Sequence, residues 1–414
     1  MNAAHLFAPD DSKAKQWRDL GFGAALVHQR DGIARGTGAF VTFASGRENK
    51  IVLRDRASAH FSFNKGTSTQ SYPTSLMGSI ALLRQTFLDA NWYKTNPASE
   101  GTNLTLKYWN EQLSLPQVFE ANDKWNVLRA DRIGDEFGIQ NIMKAGGNEY
   151  QRINEMAGTK ATFILPLNFP AAMDVEDPND ARFVSLQDLR HWEYAPAQPA
   201  LFEKAGINFC LTVSDLRDPR QFWPNLRKAM EYGLSESRAL DALTRIPAQT
   251  IGMYDQVGSI DPGKLANFII TNGPLFHPNT SILHNWISGG KYAVKEEDWF
   301  AVKGQYALTV NLPSGPKTYT VDVKSNSSAN VIAKDTLTGR FSYDGKQVKL
   351  SFPEAKESRN NIRLSGFASG NEWSGMGDDG NGARFTWTAK RVQAAESKAD
   401  TVKPKTPPTL GPIN

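Results

Sequence analysis

Residues 115–147 read LPQVFEANDKWNVLRADRIGDEFGIQNIMKAGG, and the fold turns on how they are read. A short apolar, β-prone run, LPQVFEA, leads into a helical segment that ends at Phe137, where Gly138 closes it. A second strand, GIQNIMKAGG, follows at once. Strand, helix, strand in so few residues is a parallel βαβ unit. The first strand ends in Glu120, Asn122 and Asp123. Strand ends of this kind are where α/β enzymes place their chemistry.

The alternation continues downstream. NEYQRINEMAG is helical and TKATFILPL is a strand, followed by a Pro- and Asp-rich loop over 170–184. SLQDLRHW and PALFEKAG are helices, the second stopped by Gly206. INFCLTVSD is a strand, with helices around 221–232 and 236–244 after it. Upstream, GFGAALVH (21–28) is a buried strand, and AFVTFASGRENKIVLRD (39–55) a hairpin turning at 46–50. SLMGSIALLRQTFLDANWY (75–93) is a long helix with Ser75 as its N-cap.

Such a pattern fits either a doubly wound sheet or a (β/α)8 barrel. A dinucleotide-binding sheet wants G-x-G-x-x-G between a strand and a helix, but ARGTGAF (34–40) leads into another strand. The barrel fits better, yet only about six parallel strands can be counted. The expected fold is therefore α/β: a partial TIM-type (β/α)8 barrel over 1–250, lacking elements at its front. Residues 251–297, with turn signals around FIITNG and HNWISGGKYAV, read as strands of a small β-sandwich in the same unit. Residues 298–392 alternate polar and apolar residues in runs such as YALTVNL and GRFSYDGKQVKLSF. They predict a separate antiparallel β-barrel or sandwich whose aromatic residues form its core. Residues 393–414, rich in Pro, Lys and Thr, read as a linker or tail.

Composition narrows the classes. With 414 residues the chain is long enough for two or three domains, and its 40% hydrophobic and 22% charged content is that of a soluble globular protein. A net charge of +4 in a chain of this length, without a Lys/Arg run interleaved with aromatics, points away from nucleic acid. Cys210, the single cysteine, lies in an apolar run and reads as a buried structural thiol, so no disulfide or cysteine-based metal site is expected. No apolar run is long enough to span a membrane, and MNAAHLFAPDDSKAKQW lacks the apolar core of a signal peptide. The sequence names no compartment, since a signal peptide would precede a fragment that starts within a barrel.

The stretch SESRALDALTRIPAQTIGMYDQVGSIDPGKLANFIITNG (235–273) resembles the C-terminal signature of the amidohydrolase superfamily, in particular its imidazolonepropionase-like members. LTRIPA (243–248) matches the helix that closes the family's barrel. GSIDPGKLAN (258–267) matches the strand that enters its small β-sandwich, with Asn267 where Asp is usual. The resemblance extends back to about residue 20 and does not cover 298–414. It implies hydrolysis of a C–N bond in a cyclic or otherwise amide-like small molecule, by water bound to one or two divalent metal ions. The ligands implied are a His-x-His pair on the first strand, a His on the fifth, a His on the sixth and an Asp on the eighth. A metal lowers the pKa of its water and the Asp takes the proton.

Set against that pattern, the sequence departs in most places. No His-x-His occurs. Glu120 stands where the fifth-strand histidine is expected, and Gly146 where the sixth-strand one is, with Glu149 matching the glutamate that follows it. Asp215, in LTVSD, matches the aspartate, which makes it the candidate catalytic base. Asp215 and Glu120 are the only weak candidates for a metal, of a harder kind such as Mg²⁺ or Mn²⁺; zinc would need ligands upstream of Met1. Glu120, Asn122 and Glu149 are candidates to line a pocket, as are His28, Asp31 and Arg35 in VHQRDGIARGTGAF (27–40). That Asp–His–Arg set either binds a substrate carboxylate or forms a satisfied polar network. His60 reads as a sheet residue, and the histidines at 191, 277 and 284 as packing or surface. Two expectations follow. One is a degenerate, non-catalytic barrel that serves as scaffold or binding module for a catalytic neighbour, whether a second domain or a homologous chain. The other is an active metal-dependent hydrolase whose first-strand histidines lie upstream.

Overall fold

The computed structural model describes residues 1–96, 101–295, 302–325, 327–333, 335–356, 358, 360–394, 407–408 and 410–411. The chain forms two compact units, residues 1–295 with 405–414, and residues 296–404. The reading of 393–414 as a linker falls mostly outside the described residues. Of those described, Leu410 packs against Tyr150, Tyr194 and Ala195 of the first unit.

The first unit is built on one seven-stranded sheet whose spatial order equals its chain order. Its strands are β1 (Ala24–Val27), β2 (Ala34–Thr42), β3 (Val52–Ser62), β4 (Gln117–Glu120), β5 (Asn141–Lys144), β6 (Phe163–Pro166) and β7 (Phe209–Thr212). From β3 to β7 each neighbour is parallel, joined by helical crossovers. This is the partial (β/α) barrel that the alternation predicts, with one correction. Five strands are parallel rather than about six, because β1 and β2 pair antiparallel with each other and with β3. The connection from β2 to β3 also differs from a plain hairpin turn, since Glu48–Ile51 forms a helical turn within it.

The helices start and stop where local chemistry directs. Asp123 caps the helix Lys124–Phe137 by accepting from the amides of Trp125 and Asn126, at 2.7 and 3.0 Å. Gly138, with φ of 68°, ends it in the left-handed conformation that a Cβ disfavours. Ser75 caps the long helix Leu76–Thr95 through the amide of Gly78.

Strand alternation then sorts the side chains. Phe61, Phe119, Met143, Phe163 and Phe209 join the main core with the helices. The residues between them point to the opposite, concave face. Register places Ser62, Glu120 and Lys144 side by side there, at the C-terminal ends of β3, β4 and β5. Three short strands, β8 (Phe268–Thr271), β9 (Ile282–Ile287) and β10 (Gly290–Ala293), make a separate antiparallel sheet in the same unit.

The second unit is an antiparallel nine-stranded sheet that curls into a nearly closed barrel. It runs through β11 (Gly304–Leu312), β12 (Gly315–Ser325), β13 (Ser328–Ile332), β14 (Thr336–Thr338) and β15 (Arg340–Tyr343). It continues with β16 (Gln347–Pro353), β17 (Asn361–Ser369), β18 (Glu372–Asp378) and β19 (Arg384–Ala394). Its interior holds Trp373, Trp387, Tyr306 and Phe352, so most of the aromatic residues are core as their alternation predicts, but Phe367 faces outward and is exposed. The indole N–H of Trp387 donates to the carbonyls of Ser365 and Met376. Gly366 makes room for that ring, because a Cβ there would lie 2.7 Å from it.

Candidate functional site at the strand ends of the half-barrel

Glu120 ends β4 and Lys144 occupies the paired position on β5. Arg35, on the antiparallel strand β2 beyond β3, reaches Glu120 with a 2.7 Å hydrogen-bonded ion pair, and its own side chain is almost wholly buried. Its Nε donates to the carbonyl of Gly32 at 3.1 Å, which fixes the direction of the guanidinium. Burial pushes the Glu120 carboxyl up. The hydrogen bond and charge of Arg35, with Lys144 and Arg30 beyond, outweigh this and hold it below the usual carboxylate range.

Asp215 lies just past β7 with φ of 70°, a left-handed conformation uncommon for a residue with a side chain. Its Oδ2 pairs with the Lys144 ammonium and its Oδ1 accepts from Arg30 at 3.0 Å. Burial again pushes its pKa up, and the two cations, Lys144 first, override it and hold the group low. Each oxygen of this carboxylate therefore faces a cation. Three cations (Arg30, Arg35, Lys144) meet two anions (Glu120, Asp215), and of the cations only Arg30, 59% exposed, opens broadly to solvent.

His28 and His60 stack face to face, ring centroids 3.9 Å apart and planes 5° from parallel. His60 Nε2 shares a 2.7 Å hydrogen bond with Ser58 Oγ, and Gly38 keeps the space beside it open. Burial lowers the pKa of both imidazoles, with nearby Arg35 acting in the same direction; for His60 the fall is large. Both rings are therefore neutral at pH 7.

The other sequence candidates have separate tasks. Asp31 accepts from the amide and hydroxyl of Thr67, at 2.8 and 2.5 Å, and so ties two loops together. Glu149 is wholly buried, and its carboxylate accepts from the amides of Gly146 and Gly147 and from the Gln198 side chain. Asn122 is exposed, and its carbonyl lies against Gly146 so closely that a Cβ there would fall 2.1 Å from the oxygen. The structure thus brings Arg35 and Glu120 together and sets His28 on His60, while Asp31 and Glu149 serve their own loops. Sequence reasoning missed Lys144, Arg30 and the role of His60. A lysine ending the apolar run NIM was the available signal for the first.

The donor set can be tested against a divalent metal. Among the described residues, no three His, Cys, Asp or Glu side chains come together as a metal site. Every carboxylate at the strand ends is engaged by a cation, an amide or a hydroxyl. Position 146, where the resemblance implies histidine, is closed to any side chain without a shift of the Asn122 loop. These residues do not fit a zinc ion. Cys210 offers no substitute, since burial pushes its thiol up to about 12.

A half-barrel with buried and half-buried charges gathered at its C-terminal strand ends defines an α/β-barrel class of protein. Residues 194–309 match the model of the amidohydrolase family. The fold is similar to that of an amidohydrolase from Thermotoga maritima MSB8, with a TM-score of 0.59 at 21% identity, covering 70% of this chain and 77% of that one. Slighter likenesses join it. A prolidase complexed with N-methylphosphonate-L-proline has a TM-score of 0.34 at 15% identity over 44% of this chain and 46% of its own. An adenosine deaminase from Xanthomonas campestris with bound zinc has 0.29 at 13% over 58% and 61%. No curated protein matches the chain. Over residues 194–309 the chain is thus similar to the amidohydrolase family, and it shares the fold of the Thermotoga structure.

Proposed function

We propose that the first unit is an amidohydrolase-type half-barrel of the imidazolonepropionase-like kind that has exchanged metal chemistry for internal ion pairs. It acts as a scaffold or binding module for a catalytic neighbour. The observation that carries this reading is the double engagement of Asp215 by Lys144 and Arg30. A general base must offer a free lone pair to water, and a carboxylate held ionised by two cations is a poor proton acceptor. The exposed guanidinium of Arg30 gives the site a donor for the carboxylate of an amide-like small molecule.

A second reading, an active metal-dependent hydrolase completed by histidines preceding Met1, draws on the strained φ of Asp215. Strain of this sort gathers at functional positions. One experiment separates the two. A form of the chain extended upstream of Met1 is equilibrated with Zn²⁺, freed of excess, and its metal content measured by mass spectrometry beside that of its Asp215→Ala variant. The scaffold reading expects far less than one zinc per chain in both. One zinc per chain, lost in Asp215→Ala and accompanied by hydrolysis of cyclic amides, overturns it.

A further inference from the structure

The outer face of the second unit carries a feature that the half-barrel does not explain. Strand register places Arg340, Ser351, Arg363, Asp378 and Arg384 in one row across β15, β16, β17, β18 and β19. The next row reads Ser342, Lys349, Ser365, Met376 and Thr386. Nine of these ten residues line an open trough of about 540 Å³, all except Thr386. Its ionisable groups are Arg340, Lys349, Arg363 and Arg384 against Asp378 alone, four positive charges to one negative.

These cations differ from others on the same unit. Lys317 pairs with Glu354, Lys324 with Asp322 and Lys390 with Glu372. Among the described residues, none of the four trough cations has a carboxylate within ion-pair distance. Strands lie ~4.8 Å apart, so Arg340, Arg363 and Arg384, on every second strand, stand ~10 Å apart in a line. Ser351 stands between Arg340 and Arg363, and Asp378 between Arg363 and Arg384, while Ser342 and Ser365 flank Lys349 in the next row, so neighbouring forks, the ammonium and three hydroxyls border one trough. Uncompensated like charges repel one another, and an anion relieves that repulsion.

We propose that this trough binds a small oligophosphate, a chain of two or more linked phosphate groups. Arginine forks match phosphate oxygens two at a time, and serine hydroxyls donate to the remainder. The trough has the volume of a small-molecule site. A single-stranded nucleic acid would want a series of exposed aromatic rings to stack its bases. On this face Phe367 is the one large exposed ring among the described residues.

The test uses the full chain and inorganic tripolyphosphate, with binding followed by calorimetry. Binding is expected to weaken at least tenfold in Arg363→Gln and again in Arg363→Gln/Arg384→Gln, and to weaken between 50 and 200 mM salt. Lys317→Gln, remote from the trough and already paired, is expected to bind like the parent chain. The arginines point outward, so the variants are expected to keep the parent's circular dichroism, and Lys349→Gln provides a second reading of the same trough. The proposal is overturned if tripolyphosphate fails to bind, if its binding is indifferent to Arg363 and Lys349, or if citrate binds as tightly. Arginine-dependent binding of a 20-nucleotide single strand without binding of tripolyphosphate also overturns it.

Discussion

Replacing Lys144 by methionine probes the charge network most directly. Lys144 is 9% exposed, and Asp215, its partner, keeps 30% of its side chain in contact with solvent. Removing one partner of a fully buried pair costs about 3–5 kcal/mol, because a charge is left uncompensated. An exposed pair is worth about 0–1 kcal/mol. Asp215 lies between these limits and retains Arg30 at 3.0 Å, a side chain open enough to be screened by water. The expected loss is therefore about 2 kcal/mol, or ~3 °C in melting temperature for a unit of this size. Methionine fills the volume of the lysine stem, so the loss reports charge rather than a cavity. Lys144→Met/Asp215→Asn removes both charges and is expected to recover about 1 kcal/mol or more of it. Every helix among the described residues lies in the first unit, so urea unfolding followed by the helical circular dichroism signal reports on that unit. A Lys144→Met chain as stable as its parent would refute the reasoning, as would a double variant no more stable than the single one.

Three further outcomes are expected. The His28 and His60 pKa values lie below the ordinary 6.5 in the folded chain, so below about pH 6.5 the unfolded chain takes up protons that the native one refuses. Stability should fall as pH drops through 6.5 towards 5.5, and His60→Asn should flatten that slope in urea titrations at each pH. Glu149→Ala should cost about 2–4 kcal/mol by the same measurement, because it strands two backbone amides and the Gln198 side chain in the interior; Glu149→Gln, retaining one acceptor oxygen, should cost less. Trp387→Ala should cost the second unit about 3–5 kcal/mol, read by hydrogen exchange of its strand amides, since it empties the centre of that core and leaves the Ser365 and Met376 carbonyls without their donor.

Much of the scaffold was legible because it rests on local rules. The helix from Lys124 to Phe137 announces itself by Asp123 at one end and Gly138 at the other. The strands of the second unit announce themselves by alternation, since Trp373 and Trp387 must face inward if their neighbours face water. The direction of β1 and β2 was not legible. A short apolar strand reads alike whether its neighbour runs parallel or antiparallel, and only pairing across the sheet decides. The site was half legible for a related reason. Glu120 and Asp215 stood out against a known pattern, but the groups that neutralise them arrive from distant positions, Arg35 lying 85 residues from Glu120 and Arg30 lying 185 from Asp215. The trough shows the same limit: its cations, Arg340, Lys349, Arg363 and Arg384, lie on four different strands, and strand register alone gathers them into two rows.

The ion pairs and the missing histidine position are linked by sterics as well as by charge. A divalent ion at these strand ends would hold Glu120 and Asp215 against their mutual repulsion, and Arg35, Arg30 and Lys144 supply the same compensation from within the chain. Substituting lysine for an ion in this way is not reversed by deleting the lysine. Without Lys144 two carboxylates remain, whereas a catalytic zinc site needs three protein ligands. A third cannot be added at position 146, because the Asn122 carbonyl occupies the place of its Cβ. Glu149 cannot swing in either, since its carboxylate holds the amides of Gly146 and Gly147 and so fixes the same backbone. The close approach of the Asn122 loop to Gly146 and the amide-bound Glu149 thus brace one another. Placing a metal ligand at position 146 would require moving both loops, at the expense of this partly buried hydrogen-bond set, and the backbone itself therefore favours the ion-paired arrangement.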